Sequence, residues 1–284
     1  MNKSLEIYKV KDKNEKVYTP KNLISDLPFR ICIVGKSQLS GKTNLLVNLL
    51  CRNDFYGGDF LGKNIFLVSG SCNTDAKIQT LIIQKSIPEQ NIFSEYDEEL
   101  MEALYEMIQD EFEEAIENNK TPKNTLVIFD DMSFGGIFKQ RNTGGIINKM
   151  FQNFRHINGN IIITSQKYSD IGNGQRENMT MGIFFNCSDK QLDLITEDIN
   201  YKTNKKQFKK KYRETCGESK HSFFVVSFTN PKESMYLNSR FEPIEFDEEE
   251  PIENNINKQS NTDSKNHKES LNEEYEDLPK KFKK

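Results

Sequence analysis

Residues 31–43 read Ile-Cys-Ile-Val-Gly35-Lys36-Ser37-Gln38-Leu39-Ser40-Gly41-Lys42-Thr43, an apolar run that passes into small residues and ends in Gly-Lys-Thr. Those types in that order suit a phosphate chain. Gly41 lets backbone N–H groups close on an anion, Lys42 reaches the β and γ phosphates, and the Thr43 hydroxyl is a ligand for Mg²⁺. A helix opening at Lys42 adds the positive potential of its N-terminal end. The expected cradle is Gly35, Ser37, Ser40, Gly41, Lys42, Thr43 and Asn44, and the expected cofactors are ATP and Mg²⁺. Five residues separate Gly35 from Gly41 where a phosphate loop usually has four, and Lys36 stands where its first glycine would be. Either the loop is one residue longer or Gly35 belongs to the strand end.

A second element lies further along the chain, Thr125-Leu-Val-Ile-Phe-Asp130-Asp131. Four apolar residues followed by two carboxylates read as a buried parallel strand that delivers acids to its C-terminal edge, where ligands of open α/β sheets bind. Asp130 is expected in the Mg²⁺ shell, and Asp131 where a base can polarise the attacking water. A third strand, Asn160-Ile-Ile-Ile-Thr-Ser-Gln166, ends in a polar pair. If it lies beside the strand of Asp130, Gln166 projects toward the γ-phosphate; otherwise Ser165 and Gln166 merely cap a strand. Three arginines compete for a role on the transition state, Arg155, Arg176 and Arg141. For Arg155, at a helix end, the alternative is an ordinary C-terminal cation favoured by the helix dipole.

These residues need a scaffold to meet. The hydrophobic patterning predicts strands near 30–34, 64–68, 91–93, 125–129, 160–164, 182–186 and 222–228, with helices over 42–51, 97–118, 145–155 and 189–199. That alternation argues an α/β chain with a mostly parallel sheet flanked by helices. The helix over 97–118 is the firmest, since Leu100, Leu104, Met107, Ile108, Phe112, Ala115 and Ile116 recur at three- and four-residue steps. Its neighbourhood holds eleven acids from Glu95 to Glu117 and no base, read as a solvated face ahead of a docking surface. Between Lys202 and Arg213 lie seven bases and no acid, with Phe208 and Tyr212 interleaved. Lys205, Lys206, Lys209, Lys210 and Lys211 could track a phosphate backbone while an aromatic packs or stacks. The alternative is a solvated lysine-rich helix or loop.

Of 284 residues, 35% are hydrophobic, and the shortfall from ordinary globular composition is concentrated at the C-terminus. Residues 245–284 hold twelve acids against seven lysines, while the whole chain carries −4. The preceding residues are thus close to neutral. We expect a lead-in over 1–24, one domain over 25–242 and a disordered acidic tail over 243–284. Five scattered cysteines and three histidines offer no zinc spacing and fit a reducing compartment. The expectation is a soluble, intracellular protein with no membrane partner, because no uncharged run approaches the length of a membrane helix and the N-terminus has no apolar core.

Taken together, Gly-Lys-Thr at 41–43, Ile-Phe-Asp-Asp at 128–131, Arg-His at 155–156 followed by Ile-Ile-Ile-Thr-Ser-Gln at 161–166, and Arg-x-Asn at 176–178 before Gly-Ile-Phe-Phe resemble one family. The set is similar to the genome-packaging ATPases of large DNA viruses and related mobile elements, the poxvirus-type branch of the FtsK/HerA superfamily, over roughly 25–235. That resemblance implies a RecA-like P-loop NTPase in which Gln166 is the sensor and Asp131 stands where many relatives have Glu. It further implies a homo-oligomeric ring that threads double-stranded DNA and packages it into a capsid, with capsid proteins as partners. Such a protein would work in the host cytoplasm, at the assembly site or in the virion. Arg155 ranks first as an arginine acting in trans, because the family pattern places Arg-His before the strand of Gln166. The rival readings are a nucleotide or small-molecule kinase, which needs an acceptor pocket and an arginine-rich lid for which the arginine-poor segment 202–213 is the only candidate, and a nucleotide-binding scaffold, for which Asp131 would be superfluous.

Overall fold

A computed structural model describes residues 24–36, 40–131 and 145–246. Ser37, Arg141, most of the lead-in and the tail from 247 onward lie outside them. Among the described residues no helix is long and apolar enough to cross a membrane.

Eight strands form one sheet in the order β3-β2-β4-β5-β1-β6-β7-β8. The strands are β1 (Arg30–Val34), β2 (Ile65–Ser69), β3 (Ile92–Phe93), β4 (Thr125–Asp130), β5 (Gly159–Ser165), β6 (Met181–Phe185), β7 (Phe223–Ser227) and β8 (Tyr236–Leu237). The first six run parallel, and β7 runs against its neighbours. β5 lies between β1 and β4, so the glycine-rich loop after β1 and the acids after β4 flank the end of β5. This is the α/β fold of a RecA-like P-loop NTPase.

Both faces of the sheet are covered, which is why its strands are apolar at nearly every position. Helices α1 (Lys42–Cys51) and α2 (Ala76–Lys85) close one face over Ile31, Ile33, Leu126, Ile128 and Ile162. The opposite face carries α3 (Glu98–Glu117), α4 (Ile146–Asn153), the short α5 (Asn173–Asn178), α6 (Asp189–Ile199) and α7 (Lys205–Gly217). Cys32, Val34, Val127, Phe129, Ile161 and Ile163 point to that side, following the two-residue alternation of a strand.

The sequence reading placed α1, α6 and the parallel strands to within a residue or two. It passed over α2, which Asp75 opens by accepting from the Lys77 and Ile78 N–H groups at 2.7 and 3.3 Å. It also passed over α5 and β8. The reversal of β7 follows from α7: a single helix returns the chain to the starting edge of the sheet, whereas two helices in succession bring it back to the far edge, and the next strand must run down.

At the N-terminal edge one side chain joins three strands. Buried Asn160 accepts from the Phe29 N–H at 2.8 Å and donates to the Thr125 and Asn158 carbonyls, each at 3.1 Å. Asn160→Ala leaves the buried Phe29 N–H without this acceptor and removes the amide donor from the Thr125 carbonyl, while the Asn158 carbonyl keeps the Thr125 N–H at 3.2 Å, so we expect a loss of roughly 1–3 kcal/mol in denaturant-induced unfolding. A loss under about 0.5 kcal/mol, the size of an ordinary surface substitution, would remove this role.

Candidate functional site

The phosphate loop is anchored at both ends. Gly35 continues the β1–β5 ladder, its N–H donating to the Ser165 carbonyl at 3.0 Å. Its own carbonyl accepts from the Lys42 ammonium at 2.7 Å, and the Lys36 carbonyl accepts from the same group at 3.3 Å. A Cβ at Gly35 would sit 3.0 Å from the Phe185 ring. Gly35 therefore serves the strand end while seating Lys42. Gly41 caps α1 with φ +102°, a conformation that favours glycine. Thr43 and Asn44 occupy the first turn of α1, half-buried and exposed respectively.

Asp130 ends β4 and is 4% exposed. Thr164 Oγ1 donates to its Oδ1 at 2.8 Å, and Ser69 Oγ donates to its Oδ2 at 3.1 Å. The same Thr164 hydroxyl accepts from the Asp131 N–H at 2.9 Å. Asp131 turns sharply, with φ 51°, a left-handed conformation that aspartate tolerates better than most residues. Its Oδ2 accepts from Gln166 Nε2 at 3.0 Å, and its Oδ1 is buried without a hydrogen bond. The strand order thus brings Gln166 to Asp131. A polar strand end that reads equally well as a cap becomes a contact because β5 is the neighbour of β4.

Burial pushes the Asp130 carboxyl above the ordinary carboxylate range; the two hydroxyl donors pull it back, and the like charge of Asp131 adds to the rise. Burial lowers the Lys42 ammonium, opposed by the charges of Asp131 and Asp130. Lys42, Asp130 and Asp131 therefore share one electrostatic site. Thr43 and Asp130 offer hard oxygens of the kind Mg²⁺ takes, and the bare Asp131 oxygen is an acceptor awaiting a donor.

The arginines fall elsewhere. Arg155 lies exposed in the turn before β5, close enough to Arg30 at the start of β1 for its charge to help burial lower that guanidinium. That is the opposite edge of the sheet from the phosphate loop. Arg176 is ion-paired with Asp198 and lies 5.2 Å over the Tyr168 ring. The lysine-rich segment is helix α7, whose Phe208 and Tyr212 are fully buried. They pack and are not available for stacking. Lys205, Lys209 and Arg213 pair with Glu197, Asp193 and Asp189 of α6, and Lys210 pairs with Glu214 within α7. Lys206 is exposed and Lys211 half-buried.

The sequence matches the family model described as "Poxvirus A32 protein" over residues 15–260. The chain belongs to that family. No curated protein sequence matches it. Among solved structures, the A32-family chain is similar to the DNA-packaging ATPase B204 from Sulfolobus Turreted Icosahedral Virus, at 13% identity and a TM-score of 0.49, covering 78% of this chain and 100% of that one. The genome packaging NTPase B204 from Sulfolobus turreted icosahedral virus 2 in complex with AMP gives 12% identity and a TM-score of 0.47, covering 74% and 94%. EssC (ATPases 2 and 3) from Geobacillus thermodenitrificans gives 16% identity and 0.42, covering 62% and 36%.

Sequence reasoning missed Ser69 and Thr164, which hold the acids of this A32-family site. The available signal was a hydroxyl at the end of each strand flanking β4. Their arrangement makes Asp130→Asn informative, because an amide keeps both hydroxyl contacts without the cost of a buried charge. We expect the free variant to melt about 2–4 °C higher, equivalent to roughly 1 kcal/mol. In the wild type the raised carboxyl binds its proton earlier folded than unfolded, so stability grows as pH falls through the raised value toward the ordinary 3.8. The gap between the two proteins should close in acid. Thermal melts at neutral and mildly acid pH check this, and a gap independent of pH would refute it.

Proposed function

We propose that this chain is an ATP-driven motor that moves double-stranded DNA, a ring-forming ATPase that packages a viral genome with capsid proteins as its partners. One observation carries the reading: at the mouth of a phosphate loop stand two carboxylates, Asp130 held by the Thr164 hydroxyl, and Asp131 held through its N–H by the same hydroxyl and through its carboxylate by Gln166. A nucleotide-binding scaffold has no use for that second carboxylate.

In this reading the backbone of the loop and Lys42 hold the triphosphate, and Thr43 and Asp130 would hold Mg²⁺. The ion would supply charge neutralisation across the β and γ oxygens. Asp131 takes the proton of the attacking water through its bare oxygen, and Gln166, bonded to the other oxygen, fixes the direction of that carboxylate. Catalysis is then positioning and electrostatic stabilisation. Arg155, exposed and remote from its own loop, is the candidate to act on a neighbouring subunit, with Arg176 second because its ion pair and ring contact already occupy it. The lysines of α7, Lys205, Lys206, Lys209, Lys210 and Lys211, remain the candidate DNA contacts, since surface ion pairs are worth only about 0–1 kcal/mol and exchange readily for phosphate.

A kinase reading loses its lid. The basic segment it would use is a helix rooted in the core by Phe208 and Tyr212. ATP turnover measured with and without double-stranded DNA across protein concentration tests the motor reading, which expects stimulation by DNA and a rate per subunit that rises with assembly. Lys42→Ala should abolish turnover, while Asp131→Asn should bind ATP and turn it over at least a hundredfold more slowly, in the range expected for loss of general base catalysis. Wild-type turnover in Asp131→Asn would remove the base assignment.

Arg155 is tested by complementation. Mixing Arg155→Ala, whose own loop is intact, with Lys42→Ala, whose arginine is intact, should restore part of the activity that each protein lacks. An arginine supplied in trans is worth roughly 10³–10⁵ in rate. Full activity of Arg155→Ala alone would pass the role to Arg176.

A further inference from the structure

Beside the phosphate loop, on the face covered by α1, lies a cavity of about 650 Å³ lined in part by Gly41, Asn44, Phe55, Phe223, His221 and Phe241. Its size falls within the range of small-molecule sites, and it opens directly onto the first turn of α1. One wall is a run of touching rings. Phe185 meets Phe223 at 5.3 Å between centroids, Phe223 meets Phe241 at 5.8 Å, and Phe241 meets Phe55 at 5.4 Å. Phe55 and Phe241 are only half-buried.

Phe241 holds its place against its own backbone preference. Its φ is 60°, a left-handed conformation that a bulky side chain rarely adopts. A tight turn enforces it: the Phe241 N–H donates to the Asn238 carbonyl and the Asn238 N–H to the Glu242 carbonyl, both at 2.9 Å. Strain of this kind persists where surrounding contacts overdetermine it, and it gathers at sites that clamp ligands. On the loop side, the exposed His221 ring places Nδ1 3.3 Å from the Ser40 carbonyl, to which an Nδ1–H donates. That ring also lies 3.5 Å from where a Gly41 Cβ would be. The segment before β7 therefore touches the phosphate loop, and the turn after β8 supplies the ring facing it.

We infer that this cavity receives the base and ribose of a purine nucleotide whose phosphates occupy the loop, with Phe241 as the stacking face and His221 closing the junction between the two halves. The inference rests on the ATPase reading above and deepens it. A stacking wall favours a bicyclic base through its larger face.

The test measures binding of non-hydrolysable ATP and CTP analogues, and of inorganic triphosphate, to the full chain and to Phe241→Gly. Glycine removes the ring and relieves the strained backbone together. We expect the ATP analogue to bind on the order of tenfold to a hundredfold more weakly, as for loss of a base-stacking aromatic. Triphosphate should bind unchanged, and the preference for ATP over CTP should collapse. His221→Ala, which removes an exposed side chain, should weaken the ATP analogue in the same direction without affecting triphosphate. Equal affinity of Phe241→Gly and wild type for the ATP analogue overturns the inference while leaving the ATPase reading standing. So does a parallel loss of triphosphate, which would place the ring's effect in the loop itself. A wild-type chain that binds neither nucleotide nor triphosphate overturns both.

Discussion

Asp130 is a carboxylate carried to the end of a strand buried on both faces, where an unpaired charge would be costly enough to drive protonation. Two hydroxyls answer it, one from each adjacent strand: Ser69 from β2 and Thr164 from β5. This satisfaction of a buried charge fixes the alignment of three strand ends. Ser69 lies opposite Asp130 in the β2–β4 register, and Thr164 lies one step past the last β4–β5 pair, Phe129 with Ile163. A one-residue slip of β5 would turn Thr164 to the other face and strand Asp130 in the interior. Because Thr164 also receives the Asp131 N–H, the same hydroxyl sets the turn that carries the second carboxylate to Gln166.

The sheet order does the remaining positioning. With β5 beside both β1 and β4, Val34, Ser165 and Asp130 end at one edge, and the loop following β1 meets the acids there. On the other side of β1 the chain ceases to be purely parallel. Helices α6 and α7 pair along their length through acids at 189, 193 and 197 and bases at 213, 209 and 205. Each exposed pair contributes little by itself, but the two helices together reverse β7. The reversal starts β7 at the loop edge, which sets His221 against Ser40.

The loop, the tandem acids and the strand of Gln166 were legible because each is a local pattern, an apolar run ending in residues of defined chemistry. Their roles depended on adjacency that local pattern does not encode. Gln166 reads equally well as a strand cap, and only the adjacency of β5 and β4 makes it a contact of Asp131. The seven bases between Lys202 and Arg213 read as a free cationic surface, since the partners of Lys205, Lys209 and Arg213 sit on another helix. The four-residue spacing of the α6 acids was present in the sequence, but only the antiparallel packing of α6 on α7 turns two spacings into ion pairs. Phe241 gave no signal, because left-handed backbone at a phenylalanine is imposed by the turn around it.

The division of labour among the cations follows from distance. Lys42 is tied to the carbonyls of its own loop and sits within the field of two carboxylates, so in the proposed ATPase it would belong to ground-state binding as much as to the transition state. Arg176 is ion-paired with Asp198 of the same chain. Arg155 sits at the opposite edge of the sheet, separated from the loop by the length of β1, roughly 16 Å for five residues. No rotamer of an arginine spans that gap within one chain. In the motor reading proposed above, Arg155 could therefore act only on the site of another copy, and turnover that depended on it would report assembly as well as nucleotide.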